Sequence, residues 1–397
     1  MRHIYMDANA TTPLLPEVFE AMRPFWIEHF GNASSIHQQG QYARAAVDQA
    51  RESLAKLLRC RASEIVFTSG GTESDNLALF GTVSAGDHLI TTAIEHHAVL
   101  HAAESLAARN IDVTFLPCTP QGLIEPAALE AALRPNTRLV SIMFANNETG
   151  VIQPIAELAR IAHAAGALFH TDAVQAAGKL PLDLSPRGPF KDVDLLTLSG
   201  HKIHGPKGIG ILFVRRSVRL APMLHGGAHE RQRRAGTENV TGVVGLGKAA
   251  KLAQHWLAED SSANGPTHLA ALRDRLEQGI LAQIEDCGVN GEGAPRVSNT
   301  TNLYFDHVEA EALVIALDLK GLSVSGGSAC QSGATEPSHV LTAMGLTPAR
   351  ARASIRFSLS KLTTEEEIDQ ALTLVPTAVA RLRDLSPTWR KPMAVVA

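Results

Sequence analysis

The run Ser199-Gly200-His201-Lys202-Ile203-His204-Gly205-Pro206-Lys207-Gly208-Ile209-Gly210 joins two apolar stretches, Leu195-Leu196-Thr197-Leu198 and Ile211-Leu212-Phe213-Val214. Short apolar runs punctuated by glycine read as buried strands joined by a tight turn. The turn sets a lysine at a strand end. Partial desolvation there lowers an amine's pKa and suits it to form a Schiff base with a carbonyl cofactor such as pyridoxal phosphate. Lys202 and Lys207 are equal candidates on this basis, and a glycine-rich hairpin with ordinary surface lysines has the same pattern.

Outward from this turn, strand-like runs at 64–68, 88–92, 113–116, 138–144, 167–170, 195–198 and 211–214 alternate with helical patterns between residues 40 and 260. That alternation predicts an α/β fold with a mostly parallel sheet covered by helices. The spacing of Tyr42, Val47, Ala50, Leu54, Leu57 and Leu58 predicts a helix from Tyr42 to Leu58. A chain of 397 residues is long for a single core. The polar, helix-breaking stretch Ser261-Ser262-Ala263-Asn264-Gly265-Pro266 sits where a domain boundary is expected. Beyond it, Leu269, Leu272, Leu276 and Ile280 share one helical face, Gly321 can end a helix spanning 309–320, and Thr363 or Thr364 ahead of Glu366 and Glu367 reads as a capping box. Residues 391–397 read as a loose tail. The expected organisation is an N-terminal segment, 1–15, packed on a smaller α+β domain at 267–397, with a large domain at 16–260.

Composition narrows the class of function. A net charge of -4 leaves no basic stripe for nucleic acid or anionic lipid, and no apolar run approaches the ~18 residues that span a bilayer. A cytoplasmic enzyme acting on a small molecule is the expectation. Cys60, Cys118, Cys287 and Cys330 are too scattered for a CxxC pair or a zinc-spaced cluster.

Chemistry-bearing residues collect at the carboxyl ends of the strand runs, where open α/β sheets bind ligands. After the first strand, Thr68-Ser69-Gly70-Gly71-Thr72-Glu73-Ser74-Asp75-Asn76 is a small-residue turn into a helix, suited to a phosphate or simply to a helix cap. The chain has no GxxxxGK[ST] and no GxGxxG after a strand. Asp172 closes another strand, where its carboxylate either caps the next helix or faces a cation such as a protonated pyridine nitrogen. His96, His97 and His101 offer the spacing of a helical metal pair without a third ligand, and a histidine stacked on a planar cofactor fits their place better. Asn147, in Asn146-Asn147-Glu148-Thr149-Gly150, suits a ring oxygen or a substrate carboxylate, or stabilises a turn. Arg356, in an alternating strand pattern, can grip a carboxylate with both arms of its fork. Cys330 lies in Ser323-Val324-Ser325-Gly326-Gly327-Ser328-Ala329-Cys330-Gln331-Ser332-Gly333-Ala334, whose small and polar neighbours predict an exposed, mobile loop at about 323–336 bearing a reactive thiolate.

Taken in order, these segments resemble the pyridoxal-phosphate-dependent cysteine desulfurases of the NifS/IscS type, the long-loop group of the class V aminotransferases. The resemblance runs from Tyr5-Met6-Asp7-Ala8-Asn9-Ala10-Thr11-Thr12-Pro13 through Gly31-Asn32-Ala33-Ser34-Ser35-Ile36-His37, Glu95-His96-His97, His170-Thr171-Asp172-Ala173-Val174-Gln175 and Ser199-Gly200-His201-Lys202. It continues through Arg234-Ala235-Gly236-Thr237-Glu238-Asn239 and Ser328-Ala329-Cys330 to Ser354-Ile355-Arg356-Phe357-Ser358. Gly326 and Gln331 depart from the family's more frequent serine and threonine.

The resemblance implies a fold-type I pyridoxal-phosphate transferase that turns L-cysteine into L-alanine and passes the sulfur through a persulfide on Cys330. It implies Lys202, rather than Lys207, as the cofactor's covalent anchor, and Asp172 as partner of its pyridine nitrogen. His97 would stack on the ring and move protons, and Gln175 would bond the ring oxygen. Gly71, Thr72, Ser199 and His201 would hold the phosphate, joined by Thr237 from the other subunit of a homodimer. Asn147 and Arg356 would take the substrate carboxylate. The expected partner is a sulfur acceptor such as an iron–sulfur scaffold, with no intrinsic metal and only a transient iron–sulfur contact at Cys330. Selenocysteine lyase, or another enzyme of the same fold, is the alternative activity.

Overall fold

The computed structural model describes residues 3–259, 264–326, 337–387 and 389. Half of the expected linker, the segment carrying Cys330 and the expected tail lie outside the described residues.

The larger sheet has seven strands in the order Ile65–Thr68, Gly210–Val214, Leu195–Ser199, Leu168–Asp172, Thr137–Ser141, His88–Thr92, Asp112–Leu116. Gly210–Val214 runs antiparallel to both neighbours, and all other pairings are parallel. Side chains alternate across the pleat. Ile65, Phe67, Leu196, Leu198, Ile211 and Phe213 enter one apolar core. Val66, Leu195, Leu212 and Val214 enter another on the opposite face. Both parities are therefore apolar, the reason these strands read as continuous runs rather than alternating ones. Each fully buried large side chain contributes roughly 1.5–3 kcal/mol.

The helix Gln38–Leu58 starts earlier than its apolar spacing predicts, because the His37 side chain accepts from the Gly40 amide in place of a usual cap. The strand at 138–144 shortens to Thr137–Ser141, beyond which Ile142 and Phe144 still donate to the His170 and Asp172 carbonyls. The strand expected at 167–170 runs from Leu168 to Asp172, which closes it as expected.

A second sheet of four antiparallel strands follows the order Ser325–Gly326, Ser354–Ser358, Thr300–Phe305, Cys287–Val289. Its core includes Leu276 and Ile280 from the helix Pro266–Gln283, Leu313 and Leu317 from Ala310–Asp318, and Ile368 and Val375 from Glu365–Leu385. Thr364 opens that last helix as a full capping box with Glu367. At the other end of the chain, Ile4–Tyr5 pairs in parallel with Leu322–Ser323, and Ile4 and Met6 join this same core. Residues 7–12 then cross toward the large sheet, where the Thr12 amide donates to the His201 carbonyl. Among the described residues, no helix is long and apolar enough to cross a membrane.

Candidate active site

A cleft of about 290 Å³ opens at the carboxyl ends of the parallel strands, close to the ~300 Å³ lower bound of small-molecule sites. Gly71, Thr72, Asn147, Asp172, Gln175, Ser199, His201, Lys202 and Arg356 all line it. These residues come from separate strands and turns, yet they face one space.

Lys202 ends a single 3-10 turn, Gly200–Lys202, that follows Leu195–Ser199 directly. Its Nζ donates to the Asn9 carbonyl at 2.5 Å and the Ala10 carbonyl at 2.9 Å. Lys207 is exposed and does not line the cleft, so the turn's geometry separates two lysines that the sequence leaves equal. Glycine is required behind this turn: a Cβ at Gly210 would lie 2.8 Å from the Gly70 backbone, where Gly210 pairs with both Thr68 and Ser199.

Asp172 is buried, and its Oδ1 accepts from the Val174 amide at 2.8 Å. Burial pushes this carboxyl up to about 6, against the pull of Val174 and the Lys202 charge. Asp75 stands beside it, raised by burial and then by Asp172, with Oδ1 lacking a hydrogen bond among the described residues. Nearby His170 is held neutral, lowered by burial to about 3. The pocket floor therefore favours a bound cation.

The wall beside it carries His96, not His97. His96 caps the helix His97–Ala107, its Nδ1 accepting from the Ala98 amide at 3.1 Å, and its ring lines the cleft. Burial, then the Lys202 charge, lowers it to about 4, so it is a neutral imidazole with its proton on Nε2. His97 opens the helix one residue later and turns away, its ring centroid 4.9 Å from His101 and 4.7 Å from His339. The cleft-lining place expected of His97 is therefore occupied by His96. No strong sequence signal separates the two, because histidine is not among the usual capping residues.

At one end of the cleft, Gly71 and Thr72 open the helix Gly71–Phe80, whose amides and dipole favour an anion. His201 Nδ1 sits 3.1 Å from Thr11 Oγ1, and burial together with Lys202 and Lys207 lowers the ring to about 4. Burial alone would raise Glu73, but hydrogen bonds from Arg234 and Ser69 hold it below the usual carboxylate range. Arg234 so ties the 229–239 segment to this turn at 2.8 Å, while Thr237 in that segment is exposed and outside the cleft.

At the opposite end, Arg356 is nearly fully buried, donating to the Asn147 carbonyl at 3.0 Å and to Asp7 Oδ1 at 2.7 Å. Its fork is already partly engaged, by an aspartate the sequence reading did not single out. Among the described residues, Arg356 Nε and Asn147 Oδ1 are buried without a hydrogen-bond partner. A donor and an acceptor in want of partners at one cleft end suit an amino-acid substrate.

The segment carrying Cys330 leaves and rejoins the described chain at this end. Ser325 pairs with Arg356 across the second sheet. After the segment, Ser338 Oγ donates to Glu148 Oε2 at 2.6 Å, and His339 Nε2 lies 2.9 Å from the Glu95 carbonyl. Cys60, Cys118 and Cys287 all have thiols pushed up by burial, Cys60 to about 12, and none lines the cleft.

A lysine and a carboxylate on neighbouring strand ends, between a helix start and a buried arginine, share one cleft at the carboxyl ends of the sheet. The chain belongs to the aminotransferase class-V family, whose sequence model matches residues 4–371. Within that family its similarity is to cysteine desulfurases. It is 50% identical over 390 residues to a cysteine desulfurase of Trichormus azollae, covering 98% of this chain and 95% of that one. It is 47% identical over 392 residues to a cysteine desulfurase IscS of Methanosarcina thermophila, with 98% and 95% covered. A solved NifS-like protein superposes with a TM-score of 0.86 at 36% identity, over 96% of this chain and 100% of that one.

Proposed function

We propose that the chain converts L-cysteine to L-alanine with pyridoxal 5'-phosphate as cofactor, and that Cys330 takes the sulfur as a persulfide for an acceptor protein such as an iron–sulfur scaffold. The observation that supports this most is the shared cleft of Lys202 and Asp172, an amine and a buried carboxylate at the ends of adjacent strands. The residues present fit the cofactor. Asp172 is a buried carboxylate raised to about 6 that a cationic pyridine nitrogen would stabilise. The start of Gly71–Phe80 suits a phosphate, and the unpartnered Asn147 Oδ1 and Arg356 Nε await further groups.

Lys202 would hold the cofactor covalently and Asp172 would pair its ring nitrogen. Gln175 would donate to its ring oxygen, while Gly71, Thr72, Ser199 and His201 would hold its phosphate. When bound, pyridoxal phosphate supplies an electron-withdrawing ring that accepts the electron pair released at the substrate α-carbon. Arg356 and Asn147 would orient the substrate carboxylate, and His96, in the place expected of His97, would lie against the ring and carry protons. The Cys330 thiolate attacks the substrate sulfur: the S–S bond forms as the carbon–sulfur bond breaks, and the carbon gains a proton to become the methyl group of alanine.

A homodimer is part of the proposal, with the partner subunit's Thr237 completing the phosphate site. Trp26, Ile27, Phe30 and Ile36 are each at least 65% exposed. This apolar stretch is tied to the Thr237 segment through Ser34 with His229 at 3.2 Å and Arg44 with Glu238 at 2.6 Å. We also assign residues 16–260 to a large cofactor-binding domain and 267–397 to a small one with residues 1–15 packed on it, in line with the core shared by Ile4, Met6 and Leu276. A cytoplasmic site of action completes the picture.

The test is direct assay of the purified protein with L-cysteine and cofactor. Equimolar alanine and transferable sulfur are expected; a cofactor-loaded protein that forms no alanine would overturn the proposal.

A further inference from the structure

Lys179 is a buried lysine that none of the roles above uses, 9% exposed, and its amine meets two side-chain amide oxygens rather than a carboxylate. Its Nζ donates to Gln175 Oε1 at 2.8 Å and to Asn9 Oδ1 at 3.2 Å. Gln175 Nε2 donates to the Asn9 carbonyl at 3.1 Å. Asn9 is in turn fixed on several sides: its Nδ2 donates to Thr300 Oγ1 at 2.9 Å and the Asn147 carbonyl at 3.1 Å, and its Oδ1 accepts from Asn299 Nδ2 at 3.0 Å. The same Asn9 carbonyl also receives the Lys202 amine.

We propose that Lys179 is a positioning residue that locks the Gln175 amide with its N–H group, not its oxygen, toward the cleft. The two contacts on Gln175 are one-way. An amine beside Oε1 presents hydrogens, and a backbone carbonyl beside Nε2 only accepts, so a flipped amide would face two mismatched neighbours at once. One N–H of Nε2 serves Asn9, which leaves the other for the cleft that Gln175 lines. A buried lysine is an expensive way to fill space, since a methionine or leucine would occupy the same volume without desolvating an amine. Burial, followed by the Lys202 and Arg356 charges, lowers Lys179 to about 7, and either protonation state retains the hydrogens that Gln175 Oε1 accepts.

The inference rests on the proposed cofactor, whose ring oxygen would receive the Gln175 N–H. A donor there holds negative charge that would otherwise favour a proton on the neighbouring Lys202 nitrogen. Loss of the donor raises the pH at which that nitrogen deprotonates.

The experiment is a pH titration of the visible absorption band, with cofactor affinity measured in parallel, on the full-length cofactor-loaded protein and two variants. K179M is expected to raise the band's midpoint by about one unit and weaken cofactor binding about tenfold. K179Q, which still donates to Gln175 Oε1 but carries no charge, is expected to keep both near wild type. In a Q175A background, K179M is expected to change neither further. A K179M protein with wild-type midpoint and affinity would overturn the assignment. So would K179Q shifting as a charge loss alone predicts, an outcome readable even if K179M does not fold. A wild-type protein that binds no cofactor would instead sink the underlying functional reading and leave these comparisons without a band to read.

Discussion

Ser338 donates its hydroxyl to the Glu148 carboxylate, next in sequence to the Asn147 that lines the cleft. Burial raises Glu148 to about 7, opposed by this hydrogen bond and by Arg356. The pair joins the point where the described chain resumes after the Cys330 segment to the Asn147 and Arg356 end of the cleft. Ser338→Ala removes one hydrogen bond to a buried group, worth about 1–3 kcal/mol. Alanine formation is expected to slow about tenfold while the cofactor's absorption band is unchanged, as steady-state kinetics and a spectrum on one preparation will show.

His96 and His97 can be told apart by kinetics. Loss of a positioned proton carrier costs ~10²–10⁴ in rate. His96→Gln is expected to lower kcat by at least about a hundredfold, and His97→Gln to leave it within about threefold. Equal losses would return His97 to the site.

Arg356 meets Asp7, the Asn147 carbonyl and, by proposal, the substrate carboxylate. Lysine cannot reproduce that planar fork. Arg356→Lys is expected to raise KM for cysteine by about 10- to 100-fold, with a smaller fall in kcat. Asp7→Asn, which loosens only one arm, is expected to raise KM less.

Glu95 gives a pH signature of folding. It is fully buried, with Oε1 accepting from Thr92 Oγ1 at 2.8 Å and the Met143 amide at 2.9 Å while Oε2 has no partner among the described residues. Burial raises it from 4.5 to about 8, so the folded protein keeps a proton that the unfolded chain releases. Stability from this residue is therefore greatest at low pH and declines as pH rises from 4.5 to about 8. Glu95→Gln removes that slope. In thermal melts at pH about 5 and about 8.5, the variant's Tm relative to wild type is expected to be higher at the alkaline pH. No change in the difference would contradict a protonated Glu95.

Much of this was legible in the sequence because both faces of the large sheet are buried. Leu195 to Leu198 and Ile211 to Val214 had to be apolar at every position, and their glycine-rich junction marked the site. Lys202 and Asp172 could be placed at strand ends by the same reasoning. What was not legible was whatever depends on distant chain segments meeting. Asp7 and Asn9 enter the site only because Ile4–Tyr5 pairs with Leu322–Ser323 and points the following residues across the cleft. Lys179 looks like an ordinary lysine after a glycine until its burial against Asn9 and Gln175 is seen. The choice between His96 and His97 turned on a single residue at a helix start, where a histidine cap has no strong sequence signal.

Cys330 lies outside the described residues, so the central claim falls to chemistry. Mass spectrometry of the cofactor-loaded protein after brief treatment with L-cysteine, digested under non-reducing conditions, tests it most directly. The account predicts one added sulfur atom on the peptide containing Cys330, absent from Cys330→Ser, with the peptides of Cys60, Cys118 and Cys287 unmodified. Alanine production at the wild-type rate by Cys330→Ser, or the added sulfur on another cysteine, would contradict it.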